Sequence, residues 1–158
     1  MTEPQEVEIL LVENNLDDAE LTVQVLRRNN LANHIEVVRD GEEALDFLFC
    51  KGAFKERSFR PPRLVLLDLK LSKLDGLEVL RQIKGDPRTK AVPVVVMTSS
   101  REEKDMVESC RLGVNSYIPK PVDFDQFRET VKQLGLYWLL VNRAPPPSAF
   151  LGAKAGAP

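Results

Sequence analysis

Hydrophobic residues along this chain alternate between short unbroken runs and longer stretches in which they recur every three or four positions. Short apolar runs bounded by polar residues are typical of strands buried on both faces, and the wider spacing is typical of amphipathic helices. The runs predict strands at residues 8–12, 34–38, 64–67, 92–97 and 116–119. The periodic stretches predict helices at residues 16–30, 41–50, 76–84, 102–112 and from 123 onward. This alternation predicts an α/β fold with a parallel sheet covered on both faces.

Two segments fall outside the alternation. Residues 51–62 contain two prolines, a glycine and several basic residues, which predicts a solvated loop rather than a patch for nucleic acid. From residue 143 the chain reads Ala-Pro-Pro-Pro-Ser and is then rich in Ala and Gly, which predicts a disordered tail. We therefore expect one domain at residues 1–142, with an apolar extension of its last helix, and a tail at residues 143–158.

Composition narrows the functional classes. The 158 residues include 22 basic and 24 acidic side chains, a net charge of −2, which gives no basic field for a nucleic-acid backbone. No apolar run approaches the roughly 20 residues that span a bilayer, and the acidic N-terminus lacks the features of a signal peptide. We therefore predict a cytoplasmic protein that binds neither nucleic acid nor membrane. A single histidine is too few for a metal site built on histidines.

Polar side chains with related chemistry follow four of the predicted strands. In parallel α/β sheets the ligand crevice lies outside the carboxyl ends of the strands. The residues at these ends are Glu13 and Asn14, Asp68, Thr98 with Ser99 and Ser100, and Lys120. Carboxylates and carbonyls suit Mg²⁺, and a metal together with a lysine neutralises phosphoryl oxygens during transfer. The set indicates phosphoryl transfer to a carboxylate.

Five segments in order give a more specific indication. They are residues 10–14, 65–68, 75–76, 96–100 and 117–121. Their motifs and spacing resemble the receiver domain of response regulators, over roughly residues 7–135. The resemblance implies a flavodoxin-like, doubly wound sheet of five parallel strands in the order 2-1-3-4-5, with five helices. The long loop after the second helix and residues 122–142 resemble, more narrowly, single-domain regulators that partner phytochrome-type sensor kinases.

The resemblance also implies a role for each site residue. Asp68 would accept the phosphoryl group and Lys120 would contact it, with Thr98 and Tyr117 as a switch pair. Mg²⁺ would be held by Glu13, Asn14, Asp68 and the backbone carbonyl of Lys70. The bond between Lys120 and Pro121 is expected to be cis.

One position departs from the family pattern. Asn14 stands where the family usually has a second acidic residue, so the site loses one negative charge and we expect weaker Mg²⁺ binding. Lys70 adds a cation close to the acceptor. Asp17 and Asp18 could extend the acidic site, but charges in the first turn of a helix are the better interpretation.

Three functions remain in competition. The leading one is a single-domain response regulator, not an enzyme, that receives phosphate from a histidine kinase and signals by protein contact, since no output domain follows residue 142. The second is a pseudo-receiver that binds partners without phosphorylation, which Asn14 supports. The third is a phosphatase of the haloacid-dehalogenase type, but the sequence after Asp68 is Leu-Lys and lacks that family's second aspartate.

The end of the last helix predicts self-association. From residue 134 to 141 only Gly135 is not hydrophobic, more than one face of a surface helix can bury. Either the segment folds back on its own domain or it packs against a second copy. The phytochrome-partner resemblance favours a homodimer through the last helix and its extension.

Overall fold

The computed structural model describes residues 7–28, 34–70, 75–99, 101 and 111–135. Its strands are β1 (Ile9–Val12), β2 (Ile35–Val38), β3 (Leu64–Asp68), β4 (Val94–Thr98) and β5 (Ser116–Pro119). Its helices in the described ranges are α1 (Leu16–Arg28), α2 (Gly41–Phe49), α3 (Gly76–Gly85) and α4 (Phe124–Gln133), with a 3₁₀ turn at Gly52–Phe54. The five predicted strands are confirmed, with boundaries that move by at most two residues.

The strands form one parallel sheet in the order β2-β1-β3-β4-β5, which confirms the predicted order. β1 pairs with β2 on one side and with β3 on the other, with Ile9 opposite both Ile35 and Leu64. Every residue of β1, β3 and β4 is buried. Burial on both faces explains why these strands read as unbroken apolar runs rather than as alternating patterns.

Successive strand residues supply two separate cores. Leu10 and Val12 point to one face of the sheet and pack with buried residues of α2 and α3. Ile9 and Leu11 point to the other face, where α1 and α4 lie. Phe127 of α4 is fully buried in this second core. Helices on both faces make the fold doubly wound, and the carboxyl ends of all five strands meet at one edge.

Short polar side chains begin each helix. The side chains of Asp40, Asp75 and Asp123 accept hydrogen bonds from backbone amides in the first turns of α2, α3 and α4. For α1 the cap is Asn15, whose Oδ1 accepts the Asp18 amide at 2.9 Å. Each bond satisfies an amide that has no partner within its helix.

The loop at 51–62 is more ordered than its composition predicts. Its 3₁₀ turn packs Phe54 edge-on against Phe47, with ring centroids 5.1 Å apart. The guanidinium of Arg57 lies over the Phe47 ring, 3.7 Å from its centroid, and donates to the carbonyl of Arg60. Arg57 therefore serves the packing of the loop.

Several sequence predictions lie wholly or partly outside the described residues. These are the helix at 102–112, the end of the first helix beyond Arg28, and the tail. Within the described part, Arg111 and Leu112 are not helical, and Arg111 has a φ of 53°. No helix in the described ranges is long and apolar enough to cross a membrane.

Candidate functional site

Four of the predicted site residues converge at the carboxyl edge of the sheet. Glu13 directly follows β1, and its amide donates to the carbonyl of Val38, extending the pairing with β2. Asp68 and Thr98 are the last residues of β3 and β4. Lys120 follows β5, and its amide donates to the Thr98 carbonyl at 2.9 Å. The bond between Lys120 and Pro121 is cis, as expected.

The ammonium group of Lys120 bridges the two buried carboxylates of the site. Its Nζ lies 3.2 Å from Asp68 Oδ2 and 3.0 Å from Glu13 Oε1. Glu13 is 0% exposed and Asp68 2% exposed, so both acids are removed from bulk water. Charges buried this way need a close counter-ion, and Lys120 supplies it.

Burial and crowding shift the proton affinities of this group. The pKa of Glu13 is raised to about 7, first by burial and then by the hydrogen bond and negative charge of Asp68, while Lys120 opposes the shift. Burial would lower the pKa of Lys120, but its hydrogen bonds to Asp18 and Glu13 and the charges of Asp68 and Glu13 outweigh that effect and raise it. Lys120 is therefore a permanent cation at neutral pH.

One oxygen of Glu13 has no hydrogen bond among the described residues. Oε2 accepts from the Asn15 amide at 3.2 Å and from Lys120 Nζ at 3.3 Å. Oε1 is close to Lys120 Nζ but makes no hydrogen bond. A buried carboxylate oxygen beside a second carboxylate is a suitable donor for a hard divalent cation. The residues present therefore fit such an ion.

The cation site is poor in acidic ligands. In the part of the chain that the structure describes, no three His, Cys, Asp or Glu side chains are grouped as a metal site. Asn14, next to Glu13, is exposed, and it stands where the family usually has a second acidic residue. Among the described residues, Glu13 and Asp68 are the two buried acids.

The backbone around Asp68 is held tightly. The Lys70 amide donates to Asp68 Oδ1 at 3.1 Å, while the Lys70 side chain is exposed. The first residue of α3, Gly76, donates its amide to the Leu69 carbonyl. A Cβ on Gly76 would lie 2.7 Å from Leu69 Cα and 2.8 Å from the Asp68 carbonyl oxygen. Glycine is therefore required for α3 to approach the acceptor loop this closely. The metal-ligand role of the Lys70 carbonyl stays a prediction.

Thr98 and Tyr117 lie on neighbouring strands. Thr98 is opposite Pro119, so Tyr117 is two residues earlier on β5. Thr98 is 8% exposed at the crevice, and Tyr117 is half-buried against the core of the α2–α3 face. Of the other hydroxyls, Ser99 is exposed and Ser100 lies outside the described residues. The switch role of the Thr98–Tyr117 pair remains a prediction.

Asp18 is a site residue that the sequence analysis considered and set aside. It lies in the first turn of α1, as predicted, but its Oδ2 is 3.0 Å from Lys120 Nζ. The preference for a mere first-turn charge was therefore wrong for Asp18. The one available signal was its position five residues after Glu13. A helix that begins close to the end of β1 places a residue of its first turn beside the crevice.

Comparison with known proteins identifies the family to which this chain belongs. Residues 9–132 match the family model described as the response regulator receiver domain. The chain is 44% identical over 141 residues to the probable methanogenesis regulatory protein FilR2 of Methanothrix harundinacea, covering 89% of this chain and 88% of FilR2. It is 40% identical over 131 residues to the response regulator Rcp1 of Synechocystis, covering 83% of this chain and 88% of Rcp1.

Solved structures agree with these relatives. The bacteriophytochrome response regulator RtBRR superposes with a TM-score of 0.81 at 45% identity, covering 95% of this chain and 90% of its own. The phosphorylated cyanobacterial phytochrome response regulator RcpA gives 0.68 at 38%, covering 90% and 99%. The Mn²⁺-bound form of Rcp1 gives 0.68 at 37%, covering 90% and 100%. The chain belongs to the response regulator receiver domain family, a signalling module of two-component systems rather than a family of enzymes.

Proposed function

We propose that this protein is a single-domain response regulator that accepts a phosphoryl group from a sensor histidine kinase on Asp68. The observation that carries the proposal is the buried Asp68 carboxylate, with Lys120 Nζ 3.2 Å from Oδ2 and the Lys70 amide 3.1 Å from Oδ1. Asp68 thus combines a nucleophilic carboxylate with cationic support at the carboxyl edge of the sheet. Relatives named as response regulators, one of them solved in phosphorylated form, support this role.

The transfer exchanges one bond to phosphorus for another. A carboxylate oxygen of Asp68 forms a new bond to phosphorus as the bond between phosphorus and the kinase imidazole breaks. The imidazole leaves with that electron pair and becomes a neutral histidine after taking a proton. Lys120 then pairs with the phosphoryl oxygens, which carry more charge than the carboxylate it first contacted.

Glu13 and Asp68, with Asn14 and the Lys70 carbonyl, would hold a divalent cation, which we propose is Mg²⁺. When bound, this ion neutralises charge on the phosphoryl oxygens during transfer. Glu13 Oε1, which is buried and pairs with Lys120 without a hydrogen bond, supports the assignment, as does the Mn²⁺-bound form of Rcp1. Glu13 must be deprotonated to act as a ligand, and its raised pKa makes that step coincide with neutral pH.

Thr98 is proposed to recognise the new phosphoryl group through its hydroxyl, and Tyr117 to report it along β5. The register supports this pairing, because the two residues are two positions apart on adjacent strands. The readout is a protein contact, made in the cytoplasm by the face that carries Tyr117. Names of relatives such as RtBRR favour a phytochrome-type kinase as the donor.

Phosphotransfer from purified sensor kinases encoded in the same genome tests this function. Each kinase is first autophosphorylated with labelled ATP and then mixed with the regulator and Mg²⁺. At least one kinase, with phytochrome-type kinases tried first, should label wild type within minutes and leave Asp68→Asn unlabelled. Asp75→Asn is the matched control, since it removes an exposed carboxylate at the cap of α3 and should be labelled.

The alternative is a pseudo-receiver that binds its partner without phosphorylation. Asn14 and the small number of acidic ligands favour this reading. It predicts that no kinase labels the protein and that a partner captured by wild type is captured equally by Asp68→Asn. The regulator model predicts that capture differs between the phosphorylated and unphosphorylated protein.

A further inference from the structure

Lys120 is shared by three carboxylates rather than two. Its Nζ lies 3.0 Å from Glu13, 3.2 Å from Asp68 and 3.0 Å from Asp18. Glu13 and Asp68 lie at the carboxyl ends of strands and are buried. Asp18 comes from helix α1, and its side chain is 39% exposed. The crevice therefore has an inner pair of carboxylates and a single carboxylate at its rim.

The inner pair has two uses that conflict. Lys120 contacts Glu13 and Asp68, and a divalent cation in the crevice would need the same oxygens. Two positive charges on one pair of carboxylates repel each other, most strongly where water is excluded. Asn14 makes the conflict sharper, because it contributes no charge that could offset the second cation.

Asp18 offers Lys120 another partner at the rim. The Asp18 amide is fixed by Asn15 Oδ1 at 2.9 Å, which holds the first turn of α1 beside the crevice. The Lys120 backbone is fixed by its 2.9 Å hydrogen bond to the Thr98 carbonyl. With both backbones anchored, the flexible side chain of Lys120 can keep its contact with Asp18 while it gives up Glu13 and Asp68.

We propose that Asp18 is a positioning residue that holds the Lys120 ammonium at the rim of the crevice and so frees Glu13 and Asp68 for a divalent cation. Asp18 need not touch the cation; it acts through Lys120. The inference rests on the proposed function, because it assumes that the crevice binds such a cation.

A double-mutant cycle on cation affinity tests the inference. Mn²⁺ is titrated into the unphosphorylated protein, and the electron paramagnetic resonance signal of free Mn²⁺ gives Kd for wild type, Asp18→Asn, Lys120→Met and the double variant. We expect Asp18→Asn to weaken binding about three- to fivefold, the size typical of a partly exposed ion pair. In the Lys120→Met background the same substitution should change Kd less than about 1.5-fold.

Two further variants separate positioning from general charge. Asp17→Asn removes the same charge from an exposed neighbour in the same turn and should change Kd less than Asp18→Asn does. Asp18→Glu retains the carboxylate and should restore most of the affinity. Asn is isosteric with Asp at a partly exposed site, so α1 should fold normally; Lys120→Gln replaces Lys120→Met in the cycle if the methionine variant does not fold.

Any of three results overturns the inference. The first is a Kd for Asp18→Asn that stays within 1.5-fold of wild type or becomes lower. The second is an effect of Asp18→Asn on Kd in the Lys120→Met background that is half or more of its effect in wild type. The third is an increase in Kd for Asp17→Asn as large as that for Asp18→Asn. Labelling of Asp68 by acetyl phosphate is measured separately. Labelling that succeeds while the cycle fails removes the inference alone, and tight Mn²⁺ binding without labelling removes the proposed function.

Discussion

At the scale of single residues, the site is organised by one ammonium group. Lys120 is a half-buried cation that neutralises two acids which could not otherwise be buried side by side. The raised pKa of Glu13 shows that the compensation is incomplete. Because repulsion between the two carboxylates remains, the site is well suited to bind a further cation.

Replacing Asn14 by Asp should tighten Mg²⁺ binding. The added carboxylate follows Glu13 directly in the chain, and negative ligand charge governs affinity for hard cations. We expect Kd to fall on the order of tenfold, measured by titration calorimetry. Gln24→Glu, on an exposed position of α1, adds the same charge elsewhere and is the control. An Asn14→Asp variant that binds no more tightly than this control would show that Asn14 does not limit the site.

Sequence reasoning located the inner site residues because their positions follow from topology. Glu13, Asp68, Thr98 and Lys120 each end or follow a strand, and parallel strands bring such ends together whatever the details of the helices. Asp18 was not located because its contact depends on how α1 leaves the sheet. The hydrophobic pattern of the sequence does not give the angle between α1 and the sheet. A negative charge in the first turn of a helix is also explained by its interaction with the helix dipole.

At the scale of elements, the approach of α3 to β3 depends on Gly76. We expect Gly76→Ala to destabilise the fold by about 2 kcal/mol, the usual cost of inserting a methyl group into packed backbone. Gly85→Ala, in the same helix, is the control, because a Cβ there meets nothing within 4 Å. Urea denaturation of both variants measures the effect. Equal free energies of unfolding for the two variants would mean that the loop after Asp68 shifts to accommodate the added methyl group at little cost.

Glu36, on the edge strand β2, should make the stability of the fold depend on pH at a position away from the site. Burial, then the charge of Glu43, raises the pKa of Glu36, and Arg57 opposes the shift. The folded protein thus holds this proton to a higher pH than the unfolded chain. The stability it contributes is present below pH 4.5 and is lost as pH rises through the raised pKa.

Glu36→Gln cannot ionise and should remove this pH effect. Relative to wild type, the variant should gain free energy of unfolding as pH rises from 4.5 to 7.5, measured by urea denaturation across that range. Glu20→Gln on the exposed face of α1 should show a flatter difference. A constant difference for Glu36→Gln would contradict the assigned environment of this carboxylate.

Helices and strands could be predicted from the sequence where packing against the core fixes the spacing of their hydrophobic residues. The strands and α2, α3 and α4 were found because their buried residues follow a regular period. The predicted helix at 102–112 includes Arg111 and Leu112, which are not helical. Periodicity does not show where a helix ends, whereas Gly113, with a φ of 85°, indicates a change of chain direction there.

At the scale of the whole molecule, self-association is the open prediction. Helix α4 ends at Gln133, and Gly135 has a φ of 75°, typical of a helix C-terminus. The apolar residues that follow, at 136–141, lie outside the described residues. We propose that they join two copies, and that the interface includes α4.

Sedimentation equilibrium tests the dimer. Wild type should fit a dimer in the micromolar range, and a Tyr137→Lys, Leu140→Lys double variant should fit a monomer, since buried lysines at a two-fold interface are each present twice. Arg128→Lys on exposed α4 keeps the charge and should remain dimeric. If wild type is monomeric at high micromolar concentration, with and without acetyl phosphate, the homodimer is excluded.

Intact-mass spectrometry after incubation with acetyl phosphate and Mg²⁺ tests the central claim most directly, because it needs neither the kinase nor the downstream partner. Wild type and Asp75→Asn should each gain the mass of one phosphoryl group, and Asp68→Asn should gain none. Chelation of the divalent cation should abolish the gain in wild type. Equal labelling of wild type and Asp68→Asn, or no labelling of wild type with Mg²⁺ present, would contradict the assignment of Asp68 as the phosphoryl acceptor.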